Sequence, residues 1–381
     1  MTGRSLRVAM IGTRGVPATF GGIEHHVEEL GSRLAARGHE VTVYCRSNYV
    51  ERAARTYRGM TLRRLPTVAT KSLEAIVHSA LATGDALGRG SGYDIVHYHA
   101  LGPGLVAPIA RYGSRACVVQ TIHGRDDQRA KWHGIARTAL HLAGWMSARV
   151  PDATIVVSKD LARYYAERYG RTVTHIPNGA TNEPGLPAQE IRDAWGLGGQ
   201  PYVLYLGRLV PEKCPDLLLR AFRQVETDHR LVLAGGSSFT DSYVEKLRAL
   251  ARQDPRVLLP GYVYGRRKQE LSSNASLFVL PSVLEGLPLT LLDAVAHGVP
   301  VVASAIAPHL EVLQEDQPGG RLVPAGDEVA LTKAIQAALG DLDGERRGLQ
   351  NFRSRVVETY DWNRAAEATE TLYHQTIAAR S

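Results

Sequence analysis

Glu285 and Asp293 stand in the segment PSVLEGLPLTLLDAVAHGVPVVAS (281–304), with an apolar stretch on either side. LFVLPS (277–282) reads as a buried strand before them, and PVVAS (300–304) as a second one after them. Between the two strands the spacing predicts a loop carrying Glu285, then a helix opening near Pro288 and carrying Asp293. A carboxylate accepts two hydroxyl hydrogen bonds side by side, which suits the vicinal diols of a sugar or a ribose. The unpaired amides and positive dipole end of a helix N-terminus suit a diphosphate. Taken alone, the pair is equally compatible with Glu285 capping the helix and Asp293 joining a surface ion pair.

Other groups fit the same chemistry. In GRLVPEK (207–213), Arg208 and Lys213 directly follow a strand, where a guanidinium could grip phosphate oxygens and an ammonium add a mobile charge. Charge there would stabilise a departing diphosphate; the alternative is two solvated loop cations. In GTRGVPATFGGIEHHVEEL (12–30), Gly12 ends a strand, and Gly21 and Gly22 precede the first helix. The double glycine either lets backbone approach a ligand closely or is only a flexible turn. The G-x-G-x-x-G dinucleotide spacing is absent. Glu24 and His25 lie on the first turn of that helix, beside His26, where acceptor contact and plain solvation compete. His123, in TIHGRDD (121–127), ends another strand and could meet a sugar hydroxyl or charge developing at a reacting carbon. His97 and His99 alternate along VHYHA (96–100), a pattern favouring a packed strand over metal ligation. The basic run ERAARTYRGMTLRRLP (51–66) either meets anionic lipid or a phosphorylated acceptor, or forms a solvated loop and strand edge.

These residues depend on short strands alternating with helices. Strands are predicted at RVAMIG (7–12), EVTVYCR (40–46), DIVHYHA (94–100), CVVQTIHG (117–124), ATIVVS (153–158) and VTHIP (173–177). Ile23, Val27, Leu30 and Leu34 recur at helical spacing, and Gly38 stops that helix. The pattern lapses from about 180 to 200, where ATNEPGLPAQE reads as a linker. It resumes with YVLYLG (202–207), LVLAGG (231–236), RVLLPGYV (256–263), LFVLPS and PVVAS. Such alternation predicts an α/β protein with two tandem, doubly wound parallel-sheet domains and a ligand cleft between them. The expected boundaries are 1–180 for the first domain and 181–361 for the second, with a terminal helix (362–381) crossing back to complete the first.

At 381 residues the chain is too long for one compact core. Its 44% hydrophobic and 22% charged content is that of a soluble globular protein, and no apolar run is long enough to span a bilayer. No signal peptide is read at the N-terminus. Cys45, Cys117 and Cys214 are far apart, as in reduced cytosolic proteins, and suggest neither a disulfide framework nor a zinc site. The net charge of +7 permits anionic partners, but no nucleic-acid motif accompanies it.

In this order, the elements resemble the family 4 glycosyltransferases, which have the GT-B fold of two Rossmann-like domains and retain anomeric configuration. The resemblance covers nearly the whole chain and is strongest over GRLVPEK, LVLAGG and the 281–304 segment. The first half, with AKWHGIAR (130–137) and IVVSKDLARYYAERYG (155–170), resembles the subgroup containing bacterial rhamnosyltransferases of polysaccharide assembly. It implies that Glu285 contacts donor-sugar hydroxyls near the reaction centre. Asp293, where the family usually has Glu, would bind the nucleotide ribose. Arg208 and Lys213 would hold the diphosphate, and backbone amides of Gly286, Leu287 and Leu289 would line it; Pro288, where many members have Gly, cannot donate. Gly21 and Gly22 match the glycine loop and His123 the donor-contacting histidine. The implied reaction moves a sugar, such as rhamnose from a dTDP- or UDP-linked donor, to an acceptor hydroxyl on a lipid-linked saccharide or a small-molecule aglycone. It needs no cofactor and no metal, and there is no Asp-x-Asp cluster near the site. Expected surroundings are the cytoplasm, with peripheral contact at an anionic membrane face. The rival readings are a GT-B epimerase and a non-catalytic nucleotide-sugar-binding subunit.

Overall fold

A computed structural model describes residues 4–19, 21–50, 54–68, 74–88, 92–125, 135–181, 183–237 and 240–380. The chain divides into two compact units, Met1–Asn178 with Trp362–Ser381, and Gly179–Asp361. Each unit is a sheet sandwiched by helices.

The first unit holds β1 (Arg7–Ile11), β2 (Glu40–Arg46), β3 (Thr56–Tyr57), β4 (Met60–Leu65), β5 (Ile95–His99), β6 (Cys117–Ile122), β7 (Ala153–Val156) and β8 (Thr174–His175). They lie in the order β3-β4-β2-β1-β5-β6-β7-β8, parallel except for the β3–β4 hairpin. The second unit holds β9 (Tyr202–Leu206), β10 (Arg230–Ala234), β11 (Val257–Gly261), β12 (Leu277–Leu280), β13 (Val301–Ser304) and β14 (Gly320–Val323), all parallel, in the order β11-β10-β9-β12-β13-β14. Central strands such as β5, β6, β9 and β12 are buried along their whole length. Burial on both faces is why they read as continuous apolar runs and not as alternation.

Each sheet reverses its strand order once, between β1 and β5 and between β9 and β12. Connections on either side of such a reversal leave in opposite directions, which opens a crevice at the strands' carboxyl ends. The backbone is tight there. Gly12, just past β1, has φ +117°, and a Cβ on it would lie 2.4 Å from the His99 carbonyl oxygen. Gly235, just past β10, has φ +153°, and its Cβ would lie 1.8 Å from the Gly207 carbonyl oxygen. Only glycine fits either position.

The helix Trp362–Arg380 belongs to the first unit. Arg380 at its end donates to the carbonyls of Ala116, Arg111 and Ser114 and pairs with Asp152. Tyr373 reaches His97 on β5, and Trp362 sets its ring edge-on to His25 and His26. The opposite face packs Ala9, Ile11, Val96, Tyr98 and Val118 against Ala82, Ala86, Ala107 and Ala110.

The structure refines the sequence reading in three places. Within the basic run, residues 56–65 form the β3–β4 edge hairpin, turning on Arg58 (φ 45°) and Gly59 (φ 80°), a two-residue turn with both central residues left-handed; residues 51–53 lie outside the described residues. Three of its arginines are engaged: Arg58 with Glu28 and Glu29, Arg63 with Asp85, and Arg64 with the Ser47 carbonyl. The linker contains a helix, Glu190–Trp195, whose entry is held by Glu270; that carboxylate accepts from the amides of Gln189 (3.0 Å) and Ile191 (3.1 Å). The capping group lies some eighty positions away, so local sequence carries no sign of it. Short β14 sits in a Pro- and Gly-rich stretch where no strand is predicted.

Trp362 is 2% exposed, and Trp→Ala at such a site costs about 3–5 kcal/mol. Urea unfolding of Trp362→Ala should register that loss in the transition of the first unit; a change well under 1 kcal/mol would mean that the terminal helix does not support it.

Candidate functional site

In the second unit the crevice at the reversal is built from the ends of β9 and β12. Gly207 and Arg208 leave β9, and a single turn, Pro211–Lys213, brings Lys213 back. The turn is tied to the loop after β12 by the amide of Val283, which donates to the Glu212 carbonyl at 3.0 Å. Arg208 itself is half-buried, and its carbonyl accepts from the Tyr205 hydroxyl at 2.8 Å. Lys213 Nζ then donates to Glu285 Oε1 at 2.6 Å, with the two side chains 13% and 9% exposed. Ser282 Oγ donates to the same oxygen at 2.8 Å. The sequence reading placed Arg208, Lys213 and Glu285 at strand ends; the structure joins Lys213 to Glu285 and adds Ser282.

Burial works to raise the Glu285 pKa, but the charge of Lys213, the field of His309 and hydrogen bonds from Lys213 and Ser282 outweigh it. The carboxyl therefore sits below its ordinary range and is ionised at neutral pH. His309, on the helix Ala307–Leu313, is fully buried, and its Nδ1 lies 2.7 Å from the Ser304 carbonyl. A carbonyl only accepts, so Nδ1 carries the proton and Nε2 presents a lone pair. Burial lowers this histidine to about 4, against the opposing pull of Glu285 and the Ser304 bond. Sequence reasoning missed His309 because it arrives from a later element. Ser282, three residues before Glu285 at a strand end, was open to detection.

Beyond Glu285 the chain passes Gly286 and Leu287 into the helix Leu289–Ala296, with Pro288 as its N-cap. The side chains of Leu287 and Leu289 are buried, so they could meet a ligand only through backbone, and the first amides of the helix have no intrahelical acceptor. Asp293 is buried on this helix. Its Oδ1 accepts from the Thr181 amide at 2.9 Å, and its Oδ2 lies 3.9 Å from Lys268 Nζ. One oxygen is thus committed to backbone, and a ligand hydroxyl would meet the side facing Lys268.

In the first unit the crevice lies at the ends of β1 and β5. Gly21 caps the helix Gly22–Ala36 in an extended conformation, φ 171°, and a Cβ there would lie 3.0 Å from Glu24 Oε2. Glu24 is buried and does not float in solvent; its Oε1 accepts from the Arg14 amide at 3.1 Å, while Glu28 Oε2 accepts from the Ala18 amide at 2.6 Å. The two carboxylates, one helical turn apart, brace the 13–18 loop. His25 is half-buried, its ring centroid 6.1 Å from that of Trp362. His123 follows β6, and its Nε2 lies 3.4 Å from His99 Nδ1. Among the described residues, His26, His99 and His123 form the one group whose ligand atoms, all within 4.8 Å of one another, could hold a metal ion. The AKWHGIAR motif falls largely outside the described residues.

Residues 20–183 match the family model described as Glycosyltransferase Family 4, and residues 200–341 match Glycosyl transferases group 1. The chain is 29% identical over 398 positions to a GDP-mannose-dependent alpha-(1-6)-phosphatidylinositol monomannoside mannosyltransferase of Mycolicibacterium smegmatis, an alignment covering 94% of this chain and 97% of that protein. It is 27% identical to a D-inositol 3-phosphate glycosyltransferase of Xylanimonas cellulosilytica, covering 99% and 98%. Among solved structures it resembles sucrose-phosphate synthase from Thermosynechococcus elongatus, with a TM-score of 0.84, 25% identity, and 99% and 100% of the chains covered. Anabaena HepE in complex with UDP and glucose shares the fold at a TM-score of 0.79, 18% identity, and 96% and 99% coverage.

A lowered folded-state pKa means that Glu285 adds stability above the ordinary glutamate range and loses it as pH falls through its lowered value. The stability gap between the wild type and Glu285→Gln should therefore narrow on acidification, followed by denaturant melts from neutral pH downward. A gap that stays constant down to strongly acidic pH would refute the ion-pair account.

Proposed function

The chain belongs to the family 4 glycosyltransferases, enzymes that use nucleotide-sugar donors, and on that premise we propose that it retains anomeric configuration and binds its donor at the β9–β12 crevice. The observation that carries this reading is the buried Lys213–Glu285 pair, braced by Ser282 at the carboxyl ends of those strands. Ionised Glu285 can accept hydroxyl hydrogen bonds from the donor sugar. An ammonium has three donors, so Lys213 can hold Glu285 and still reach phosphate oxygens. Arg208 adds a bidentate grip on the diphosphate. As the glycosidic bond breaks, negative charge grows on the leaving phosphate, and these cations with the amides of Gly286, Leu287 and Leu289 stabilise it.

The acceptor hydroxyl attacks from the face the diphosphate leaves, and the leaving phosphate oxygen takes its proton. Asp293 contributes to ribose binding through the oxygen nearer Lys268. Within the first unit, the Gly21–Gly22 backbone and His123 are the candidates for donor contact, and His25 and Glu24 for acceptor contact, Glu24 through Oε2 because its Oε1 is held by the Arg14 amide. Two donors come first for trial: a dTDP- or UDP-linked sugar such as rhamnose, from the likeness of the first half, and GDP-mannose, the donor named for the mycolicibacterial relative. The acceptor class is a lipid-linked saccharide or a small-molecule aglycone.

Melting with UDP, GDP, dTDP and ADP in turn should single out one nucleotide; at 100 times its Kd it stabilises by about 2.7 kcal/mol. Failure of all four to raise the melting temperature would count against the donor site. With the matching sugar nucleotide, Glu285→Ala should lower turnover by several orders of magnitude, whereas near-normal transfer by that variant would sink the assignment of Glu285.

A further inference from the structure

His97 and His99 share one face of β5, but only one of them is satisfied. The His97 Nδ1 meets the Tyr373 hydroxyl at 2.6 Å, and its Nε2 meets the Thr121 hydroxyl at 2.7 Å. His99, fully buried beside it, keeps an Nε2 with no hydrogen-bond partner among the described residues. His26, 4% exposed on the first helix, likewise has an Nε2 without a partner among them. Buried polar atoms left unpaired are costly and uncommon. The His26 atom, in a ring packed against His99 and His123, points to a ligand; His99 approaches His123 through its other nitrogen, Nδ1. The ring centroid of His26 lies 4.6 Å from that of His123 and 5.4 Å from that of His99.

The chemistry of the cluster fits a metal ion. The 3.4 Å between His99 Nδ1 and His123 Nε2 is also the edge of a tetrahedron whose centre lies about 2.0–2.1 Å from each nitrogen, the usual Zn–N distance. His26 Nδ1 lies 2.8 Å from Asn178 Oδ1. An amide oxygen accepts, so Nδ1 carries the proton and Nε2 offers the lone pair a metal requires; such an outer partner also fixes the ring. Three imidazole nitrogen donors favour first-row transition ions over magnesium or calcium, which take oxygen. The donors come from a helix, a strand and a strand end, so the ring positions are set by the sheet. We propose that His26, His99 and His123 bind one divalent transition-metal ion, with Asn178 orienting His26 and the fourth position open.

The test uses the full chain with any affinity tag removed, stripped by chelator and dialysed against Zn2+, Co2+ or Mg2+. Expected are one equivalent of Zn2+ or Co2+ per chain, none of Mg2+, and visible Co2+ ligand-field bands that Zn2+ displaces. Asn178→Ala should weaken binding by about 10–100-fold, the usual effect of losing an outer partner, and His26→Gln or His123→Ala by more. His123 is half-buried at a strand end, so its alanine variant tests the site even if substitution at His26 disturbs the core. Absence of stoichiometric binding to the wild type would overturn the proposal, as would binding unchanged in folded His123→Ala. No sugar nucleotide is present, so failure here is distinguishable from failure of the glycosyl-transfer reading.

Discussion

A parallel sheet whose strand order reverses has helices leaving to opposite sides of the two strands that flank the reversal, and nothing fills the space beyond their carboxyl ends. Both units of this protein are built around that constraint. In the second it falls between β9 and β12, in the first between β1 and β5. The residues with chemical potential are there because loops following these strands must emerge there. Gly12 in the first unit and Gly235 in the second each keep the backbone close to a neighbouring loop of the same unit.

In the second unit the crevice is organised by charge. Glu285 is buried enough that desolvation alone would favour its neutral form, yet Lys213 and Ser282 hold it ionised. An ion pair of this depth adds little net stability, since desolvation offsets most of the attraction. Its effect is to fix a carboxylate and an ammonium in register with each other before any ligand arrives. Neutral His309, with its tautomer set by the Ser304 carbonyl, packs behind them without adding a competing charge. The first-unit crevice has a different character, with three imidazoles in place of an ion pair and the Glu24 and Glu28 carboxylates turned to brace a loop.

Much of this was legible in the chain itself. The strands from RVAMI to VVAS read as apolar runs because both sheet faces are covered, and the first helix was marked by Ile23, Val27, Leu30 and Leu34. Edge elements were harder. The β3–β4 hairpin carries three arginines in ten residues, and two of them need partners at Glu28, Glu29 and Asp85. The helix Glu190–Trp195 needs Glu270. In both cases the stabilising group is distant in sequence, so no local window contains the reason for the structure.

The same division applies to the chemistry. Sequence by itself determined which groups are available and that Arg208, Lys213, Glu285 and His123 stand at strand ends, because strand ends are set by local apolar runs and the breakers that follow. Tertiary structure alone decided their partners: Lys213 on Glu285, Thr181 on Asp293, Arg14 on Glu24, and His26 beside His99 and His123. It also separated His97 from His99, residues of one type, two apart on the same strand face. Tyr373, on the last helix, reaches one of them and not the other. Whether a polar atom is satisfied depends on what packs against it, and that neighbour comes from the fold.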